Sequence, residues 1–382
     1  RPSMKKTICI QLRFCLLSIA VSAVLSIAYG EAVTVDLDSE YTNEFYVIKG
    51  QRPLHPNDEI KEQVYRQSAL TLESDRDAVD VILRRTLKLA ENIETLDGAP
   101  DLGHLQSRLD VLAKEVKETD VNDEAARLEL FKKIAYLRRE ITLSNPLLDF
   151  SKILFVKTHL SRSWHSCDQY FGKNFREGGG IYVLSGAFSE KPELKNLLED
   201  SVVGNGRLKG KKLEGSFLSP ELSFDGKQIY FAHTECYGEN WSPTRSFNVF
   251  GVKVDGSGLV QLTDGSTNDF DPCVLPNGRI AFISERRGGF GRCHPRPVPT
   301  YTLFSMNRQG GDIVPLSYHE TNEWNPSVNN DGMIVYTRWD YIDRGDCIAH
   351  HPWITFPDGR DPRAIHGNYP TRRGYRPDAE MN

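Results

Sequence analysis

Four polar stretches of the sequence carry most of the side chains that could do chemistry. They lie at about 157–179, 233–246, 285–300 and 337–352, and they hold four of the seven cysteines and six of the ten histidines. Thiol, imidazole and guanidinium groups collected in this way can ligate a metal or haem, form disulfides, or line a binding surface. The candidate residues for a binding face are His165, Cys167, Trp241, Arg286, Arg287, Arg292, Cys293, His294, Trp339, His350 and His351.

Three interpretations of these stretches stay open. Pairs such as His165 with Cys167, or Cys293 with His294, could contact a metal or haem, but neither pair has the spacing of a structural zinc site. Disulfides could link neighbouring loops, although an odd number of cysteines follows residue 30, so at least one is free, ligating or bonded elsewhere. In the third interpretation, the stretches form a solvated polar rim whose aromatic side chains pack locally. The cysteines concerned are Cys167, Cys236, Cys273, Cys293 and Cys347.

Two further segments contribute carboxylates at short spacing. Asp269 and Asp271 lie in one, and Glu320 and Glu323 lie in the next. Two acids this close in a loop could bind Ca²⁺ or serve as acid and base, but such residues more often cap turns, and we favour capping here. The sequence contains no Gly-x-Ser-x-Gly elbow, phosphate loop or Cys-x-x-Cys-His haem attachment site. No catalytic residue and no metal ligand is therefore assigned.

A repeated pattern of turns and short apolar runs must position these segments. Asp-Gly or Asn-Gly pairs occur at 225–226, 277–278 and 331–332, so successive pairs start 52 and 54 residues apart. Each pair precedes an apolar run, at 229–232, 280–284 and 333–336, and a degenerate earlier copy has runs at 153–156 and 180–184. Four short strands with tight turns form one antiparallel blade, and repeats of this length are typical of a β-propeller. A β-sandwich with coincidental turns is the alternative.

The lengths of the connections indicate where function lies. In an antiparallel blade with strands A to D, the A–B and C–D turns emerge on one face, and the B–C loops and D–A crossovers emerge on the other. The turns are short throughout, whereas the B–C loops are the four polar stretches described above. Propeller closure would therefore bring the candidate residues together on a single face. The last unit lacks a recognisable outer strand, so we expect about four blades, with the propeller truncated at its C-terminal end.

The rest of the chain divides by composition. Met4, Lys5 and Lys6, followed by an apolar stretch at 14–28, predict a signal peptide at 4–30, with an uncleaved membrane anchor as the alternative. We expect a linker or arm at 31–57, an α-helical hairpin or three-helix unit at 58–145, and the propeller at 147–382. The protein is thus expected to be exported, to the periplasm or beyond. Three residues precede Met4, so we expect the N-terminal end to be cut as well. The net charge of −5 argues against nucleic-acid binding.

Several segments of the repeat region resemble a known family. They read NDFDP (268–272), LPNGR (275–279), SERRGGFGRC (284–293), VPTY (298–301), YHETNEW (318–324), VYTRWDY (335–341) and HGNY (366–369). Together they resemble the propeller-bearing region of proteins related to the hydrazine synthase alpha subunit. The segment LSPELSFDG (218–226) is similar to the TolB-type propeller repeat. The resemblance covers about 147–382.

The resemblance implies a six-bladed propeller in an exported protein, normally followed by a c-type cytochrome region. In the enzyme of that family, the haem-bearing region and partner subunits make hydrazine from nitric oxide and ammonia. Because this chain has no Cys-x-x-Cys-His, no cofactor is expected within it, and haem c is expected only beyond Asn382. No catalytic ligand is carried over, and this chain itself is not expected to be an enzyme, although a longer relative could be an oxidoreductase.

Two functions follow as hypotheses. In the first, the chain is a scaffold or interaction domain of a redox protein, and its long-loop face holds a haem domain or partner subunits. In the second, it is a TolB-like module that binds a protein or glycan and has no redox role. Contact with a membrane is expected only through an uncleaved signal sequence.

Overall fold

The computed structural model describes residues 36–51, 70–158, 177–188, 192–235, 246–291, 298–340 and 350–365. The chain divides into two compact units: a helical unit, 12–153 with 185–194, and a β unit that includes 154–184 and 195–382. The predicted signal peptide at 4–30 lies outside the described residues. None of the described helices is both long enough and apolar enough to cross a bilayer.

The helical unit contains four described α-helices and a short 3₁₀ turn. The helices are α1 (Leu37–Lys49), α2 (Ala78–Glu94), α3 (Gly103–Glu118) and α4 (Glu124–Leu143), and the turn is Pro146–Leu148. Their apolar residues recur at spacings of three and four and form one buried core. The buried Arg127 of α4 donates to both carboxylate oxygens of Asp77, which caps α2, and to the Val116 carbonyl of α3. One guanidinium therefore joins three helices.

Helix α1 lies in the segment 31–57, where the sequence predicts a linker or arm. Tyr41, Phe45 and Ile48 follow at spacings of four and three and are buried in the helical core. The Asp36 carboxylate accepts a hydrogen bond from the Ser39 backbone N–H (3.3 Å) and so caps the helix. Asp, Ser, Glu, Thr and Asn fill most of the first two turns, so the apolar periodicity is too weak to mark the helix in the sequence.

The strands of the β unit form four main sheets. Sheet I contains β1 (Lys152–Thr158), β2 (Gly179–Ser185) and β3 (Glu193–Asn196); sheet II contains β4 (Ser216–Leu222), β5 (Gln228–Thr234), β6 (Asn248–Lys253) and β7 (Val260–Gln261). Sheet III contains β8 (Asp269–Val274), β9 (Ile280–Ser284), β12 (Thr302–Met306) and β13 (Val314–Pro315); sheet IV contains β14 (Glu323–Val328), β15 (Ile334–Trp339), β16 (His350–Thr355) and β17 (Arg363–Ala364). A small ribbon, β10 (Phe290–Gly291) with β11 (Val298–Pro299), lies between β9 and β12 in the chain. Sheets II to IV are antiparallel, and their strands follow chain order.

Sheets II, III and IV pack against one another in this order. Strand β8 of sheet III contacts β4 of sheet II on one side and β14 of sheet IV on the other. Successive residues of a strand face opposite neighbouring sheets, since the strand period is two. In β9, Phe282 belongs to the same apolar cluster as Tyr230 of sheet II, whereas Ile283 belongs to the cluster with Tyr336 of sheet IV. Consecutive antiparallel sheets packed face to face in this way are the blades of a β-propeller.

The innermost strands of sheets II, III and IV share one bulge. Ser219 in β4, Asp271 in β8 and Asn325 in β14 have left-handed backbone angles (φ 48°, 49° and 50°), and each precedes a proline. The pairing register of each strand shifts at this point. Asp271 connects the three sheets, because its carboxylate accepts hydrogen bonds from the Ser219 hydroxyl and from the Asn325 backbone N–H (3.0 Å). The bulges thus repeat at the spacing of the Asp-Gly and Asn-Gly turns.

The outer edges of the sheets are covered in different ways. Along β7, the Asn205 side chain bonds both the N–H (2.7 Å) and the carbonyl (3.0 Å) of Gln261. In sheet III, the exposed edge strand β13 ends on Pro315, which has no N–H. The sequence predicts no outer strand for the last unit, but β17 pairs with β16 there through Arg363 and Ile354. At two residues, β17 is too short to produce a recognisable apolar pattern.

Candidate functional site

The two ends of the β unit differ in their connections. We call the end with the tight A–B and C–D turns the turn end, and the end with the B–C loops and D–A crossovers the loop end. At the turn end, Gly226, Gly278 and Gly332 take left-handed angles (φ 67°, 83° and 77°) that other residues rarely adopt, which keeps the turns short. The loop end lies where β5, β9 and β15 finish, so the last residues of these strands support its surface.

In sheet III, the loop end contains a buried ion pair. The Asp269 carboxylate, at the start of β8, is fully buried and accepts hydrogen bonds from the Ser284 hydroxyl (2.7 Å) and the Arg286 guanidinium. Arg286 also donates to Ser284 Oγ (3.0 Å). Burial raises the pKa of Asp269, and the charge of Arg286 opposes this shift. The two charges pair with each other within sheet III, which favours a structural role for both.

In sheet IV, the loop end contains a buried imidazole. His319 lies in the crossover before β14, and its Nε2 is 2.7 Å from both the Trp339 carbonyl oxygen and Thr321 Oγ1. Burial, together with the nearby charge of Arg338, lowers the pKa of His319 to about 4. The ring is therefore neutral near pH 7. Because a carbonyl oxygen can only accept, Nε2 carries the proton.

This imidazole does not activate a nucleophile. In a hydroxyl–imidazole–carboxylate relay, the hydroxyl and the carboxylate bond opposite nitrogens of the ring. Here the Asp340 carboxylate is 3.6 Å from the same Nε2 that contacts Thr321, and the Thr321 hydroxyl also donates to the Trp339 carbonyl. Within the described parts of the chain, no three His, Cys, Asp or Glu side chains come together to hold a metal ion. We interpret the cluster around His319 as structural.

Arg338, at the end of β15, is held from two sides. Its Nε donates to Asp340 Oδ1 (2.9 Å), and its guanidinium lies 3.9 Å from the centre of the Trp353 ring. The side chain is therefore fixed against sheet IV.

Glu323 pairs with Arg338 in register and joins sheet IV to sheet III. Its fully buried carboxylate accepts hydrogen bonds from the Leu303 backbone N–H (2.9 Å) and from Ser317 Oγ (2.7 Å). Burial raises the pKa of Glu323 to about 7. This carboxylate therefore serves as a link between sheets.

Trp324, Trp339 and His350 form an aromatic cluster at the same end. The two indole rings stack with their centroids 6.4 Å apart, and the His350 ring lies 5.6 Å from each. All three side chains are buried, as is that of His351. These residues support the loop end from within and do not reach its surface.

Several side chains project from this supported base, Glu320 among them. Tyr318, next to His319 in the crossover, is 77% exposed, and Arg287, at the start of the loop after β9, is also exposed. The charge of Arg287 contributes to the lowered pKa of His319, so this loop and the crossover are neighbours. Tyr and Arg are enriched among the residues that dominate binding energy in interfaces. We call Tyr318 and Arg287 the contact pair.

In sheet II, the loop end contains a cavity of about 310 Å³. His233 is buried in its wall, with Nε2 2.9 Å from the Glu214 carbonyl oxygen. Burial lowers the pKa of His233 to about 4, so this ring is also neutral. The lining mixes both charges with apolar groups and consists of Leu208, Lys211, Lys212, Leu213, Glu214, His233 and Glu235.

The structure describes five of the eleven residues predicted for the binding face. Arg286, Arg287, Trp339, His350 and His351 all lie at the loop end, but of these only Arg287 is exposed. The other six lie outside the described residues: His165, Cys167, Trp241, Arg292, Cys293 and His294.

The carboxylates occupy different positions from those predicted. The sequence places Asp269, Asp271 and Glu323 in loops, but the structure places them in strands β8 and β14. The left-handed bulge explains the difference, because it lets the innermost strand continue through a proline. All three carboxylates are buried and accept hydrogen bonds within the β unit, so their geometry favours neither Ca²⁺ binding nor acid–base chemistry.

Sequence reasoning missed the residues that shape the surface. Tyr318, His319 and Asp340 lie outside the set chosen from the B–C loops, although the crossover is part of the same end. A second missed feature is a run of cations, Arg207 to Lys212, in the crossover before β4. Its charge density is visible in the sequence and could have marked it.

No protein-family profile matches the sequence. The chain is 32% identical over 104 residues to the uncharacterized protein Atu1656 of Agrobacterium fabrum, and the match covers 27% of this chain and 32% of that protein. Among solved structures, it is similar to Kuenenia stuttgartiensis hydrazine synthase, with 20% identity and a TM-score of 0.42 over 59% of this chain and 33% of that chain. It is also similar to TolB from Acinetobacter baumannii, with 10% identity and a TM-score of 0.29 over 62% and 58% of the two chains.

The matched part of this chain spans about a third of the length of Atu1656 and of the hydrazine synthase chain. The propeller fold is assigned from the sheets and bulges described above.

Proposed function

We propose that the β unit is a non-catalytic interaction domain of an exported redox protein, and that its loop end binds a haem-bearing domain or a partner subunit. One observation supports the proposal above all. The described titratable groups at the loop end of sheets III and IV are mostly buried and bonded to one another, whereas the contact pair, Tyr318 and Arg287, is exposed. A surface of this kind favours binding to another molecule over catalysis.

The contact pair stands on a rigid base. Contacts of His319 and Thr321 with the Trp339 carbonyl fix the crossover that carries Tyr318. The Arg286–Asp269 ion pair fixes the start of the loop that carries Arg287. Because the backbone beneath the contact pair is fixed, binding has to order only the two side chains, so more of their contact energy remains for affinity.

The described residues of this chain do not form a haem site of their own. The sequence has no Cys-x-x-Cys-His motif. The loop-end histidines that the structure describes are buried, and the Nε2 atoms of His233 and His319 already contact carbonyl oxygens. Haem c is therefore assigned to the bound domain, and the β unit would supply its docking surface.

Co-purification with matched variants tests the proposal. The tagged chain is isolated from cells that naturally produce it, and bound haem is measured by its redox-dependent absorbance. The native chain should retain a haem protein, and Tyr318→Ala/Arg287→Glu should lose most of it. The control, Phe224→Ala/Arg308→Glu, changes an exposed aromatic residue and an exposed arginine at the turn end and should retain it.

The same experiment separates the alternatives. A haem-free protein or glycan that is lost only with the loop-end variant would support the TolB-like binding module without a redox role. Equal retention by both variants would contradict the choice of the loop end.

A further inference from the structure

One segment of the loop end is strongly cationic. The crossover before β4 carries Arg207, Lys209, Lys211 and Lys212 within six residues, with no acidic residue from 207 to 213. All four side chains are exposed. Because the whole chain has a net charge of −5, this segment is a local reversal of charge. We call it the basic crossover (207–212).

The basic crossover is held in one conformation. The Val203 N–H donates to the Lys211 carbonyl (2.9 Å), and the Val203 carbonyl accepts from the Gly210 N–H (2.8 Å). Leu208 is buried beneath the segment and packs with sheet II. Gly206 has a left-handed angle (φ 67°), and a Cβ there would come within 2.7 Å of a side-chain oxygen of β7. A fixed backbone therefore presents the cations.

Two of the four cations are already engaged. Arg207 donates to the Glu235 carboxylate (2.6 Å), and Lys212 Nζ donates to a backbone carbonyl (2.6 Å). Lys209 and Lys211 form no ion pair with any residue that the structure describes. These two exposed ammonium groups are therefore available to bind an anion.

The cavity beside the basic crossover restricts which anions fit. Lys211 and Lys212 line it, and so do Glu214 and Glu235, of which Glu235 already accepts from Arg207. A polymer with an anion on every unit would place a charge against the Glu214 carboxylate, where like charges repel. A protein segment can place its carboxylates at Lys209 and Lys211 and an uncharged or cationic side chain in the cavity.

We infer that the basic crossover binds an acidic segment of a partner protein, one in which carboxylates alternate with uncharged side chains. The inference rests on the proposed function, because it assigns this segment to the end where the partner binds. Charges at the rim of an interface act mainly on the association rate and on its salt dependence. Lys209 and Lys211 would therefore speed the encounter, and added salt would slow it.

A defined probe tests the inference. A labelled peptide of alternating Glu and Ser is titrated with the full chain at low ionic strength, and binding is followed by fluorescence anisotropy. The native chain should bind it saturably and should not bind the Gln–Ser counterpart. Lys209→Glu/Lys211→Glu should weaken binding about tenfold, because two weak attractions become repulsions. Lys227→Glu/Lys253→Glu makes the same charge change at the turn end of sheet II and should leave binding unchanged.

Several outcomes would overturn the inference. They are the absence of saturable peptide binding, an equal loss in both lysine variants, and tighter binding of polygalacturonate than of the peptide, which would indicate an acidic polysaccharide instead. Co-purification separates the two proposals. A partner retained by Lys209→Glu/Lys211→Glu but lost by Tyr318→Ala/Arg287→Glu would leave the proposed function standing and refute the role of the basic crossover.

Discussion

Two copies of one six-residue pattern lead into the innermost strands of sheets III and IV, and they bond differently. The first reads TNDFDP at 267–272, and the second reads TNEWNP at 321–326. The asparagine has the same role in both: Asn268 accepts from the Phe247 N–H (2.9 Å), and Asn322 accepts from the Tyr301 N–H (3.1 Å) of the preceding sheet. The copies diverge at the acidic residue that follows.

The two acidic residues, Glu323 and Asp269, differ in side-chain length and in hydrogen-bonding partner. Glu323 reaches back to the preceding sheet and accepts from the Leu303 N–H (2.9 Å). The equivalent N–H of sheet II donates to Thr263 Oγ1 (2.9 Å), while the shorter Asp269 bonds to Arg286. One methylene group thus separates a link between sheets from an ion pair within a sheet. At equivalent backbone positions, the same functional group acquires different neighbours, although burial raises the pKa of both carboxylates.

Removal of the cation in sheet III should have the largest effect. Arg286→Leu leaves the Asp269 carboxylate buried without its counter-charge, and we expect the free energy of unfolding to fall by about 3–5 kcal/mol. Guanidinium denaturation followed by tryptophan fluorescence measures this, since Trp324, Trp339 and Trp353 lie in the β unit. Asp269→Asn/Arg286→Leu should recover most of the loss. A fall below about 1 kcal/mol would place the pair among ordinary surface ion pairs.

Glu323→Gln should remove part of the pH dependence of the free energy of unfolding. The folded-state pKa of about 7 lies above the ordinary value of 4.5, so the folded state holds this proton more tightly. Its stabilisation is complete below about pH 4.5 and is lost as the pH rises to about 7, by up to about 3 kcal/mol. Unfolding free energies of both proteins between pH 4.5 and 8 test this. Parallel profiles would show that Glu323 does not titrate in this range.

Asp271, which Asn325 replaces in the second copy, allows a test of the bulge. Asp271→Ala removes the acceptor for the Ser219 hydroxyl and the Asn325 N–H and places alanine at a left-handed position, so we expect a loss of about 2 kcal/mol. Asp271→Asn makes the two copies alike at this position and should cost less, because asparagine tolerates the angle, its Oδ1 can accept from the Asn325 N–H and its Nδ2 can donate to the Ser219 hydroxyl. Equal losses in urea denaturation would mean that the charge of Asp271 matters more than its geometry.

The smallest expected effect concerns the acceptors of two equivalent backbone N–H groups. Thr263 accepts from the Val249 N–H, and Glu323 accepts from the Leu303 N–H. Thr263→Val removes the acceptor of a buried N–H and should cost about 1 kcal/mol. Ser317→Ala, at the equivalent position, should cost less, because Glu323 still accepts from the corresponding N–H. Thermal unfolding of the two variants under identical conditions measures the difference. The opposite order would contradict the assignment of Glu323 as the acceptor that matters.

Local signals in the sequence predict the strands but not the bulges. Strand β9 coincides with the predicted run at 280–284, because a tight turn and a β-branched run mark it without reference to the rest of the chain. The left-handed residue at Asp271 depends on Ser219 and Asn325, more than fifty residues away on either side. No local sequence pattern indicates these contacts. The sequence therefore predicts innermost strands that begin after the carboxylates.

The same limit applies to the candidate site. Connection length predicts which end of the β unit collects Arg286, Arg287 and Trp339, because alternate connections of a meander emerge at the same end. Burial is not predictable in this way, since it depends on which neighbouring sheet a side chain faces. Trp339 and His350 therefore look like surface residues in the sequence and are core residues in the structure.

The cover along β7 has a consequence for the protein at high concentration. An unpaired strand edge can recruit the edge of another molecule and begin an aggregate. Asn205 bonds the Gln261 backbone as a neighbouring strand would, and Pro315 removes a donor from the edge of β13. Sheets II and III therefore offer a poor template for fibril growth at their outer edges, and recognition of other molecules there is left to side chains.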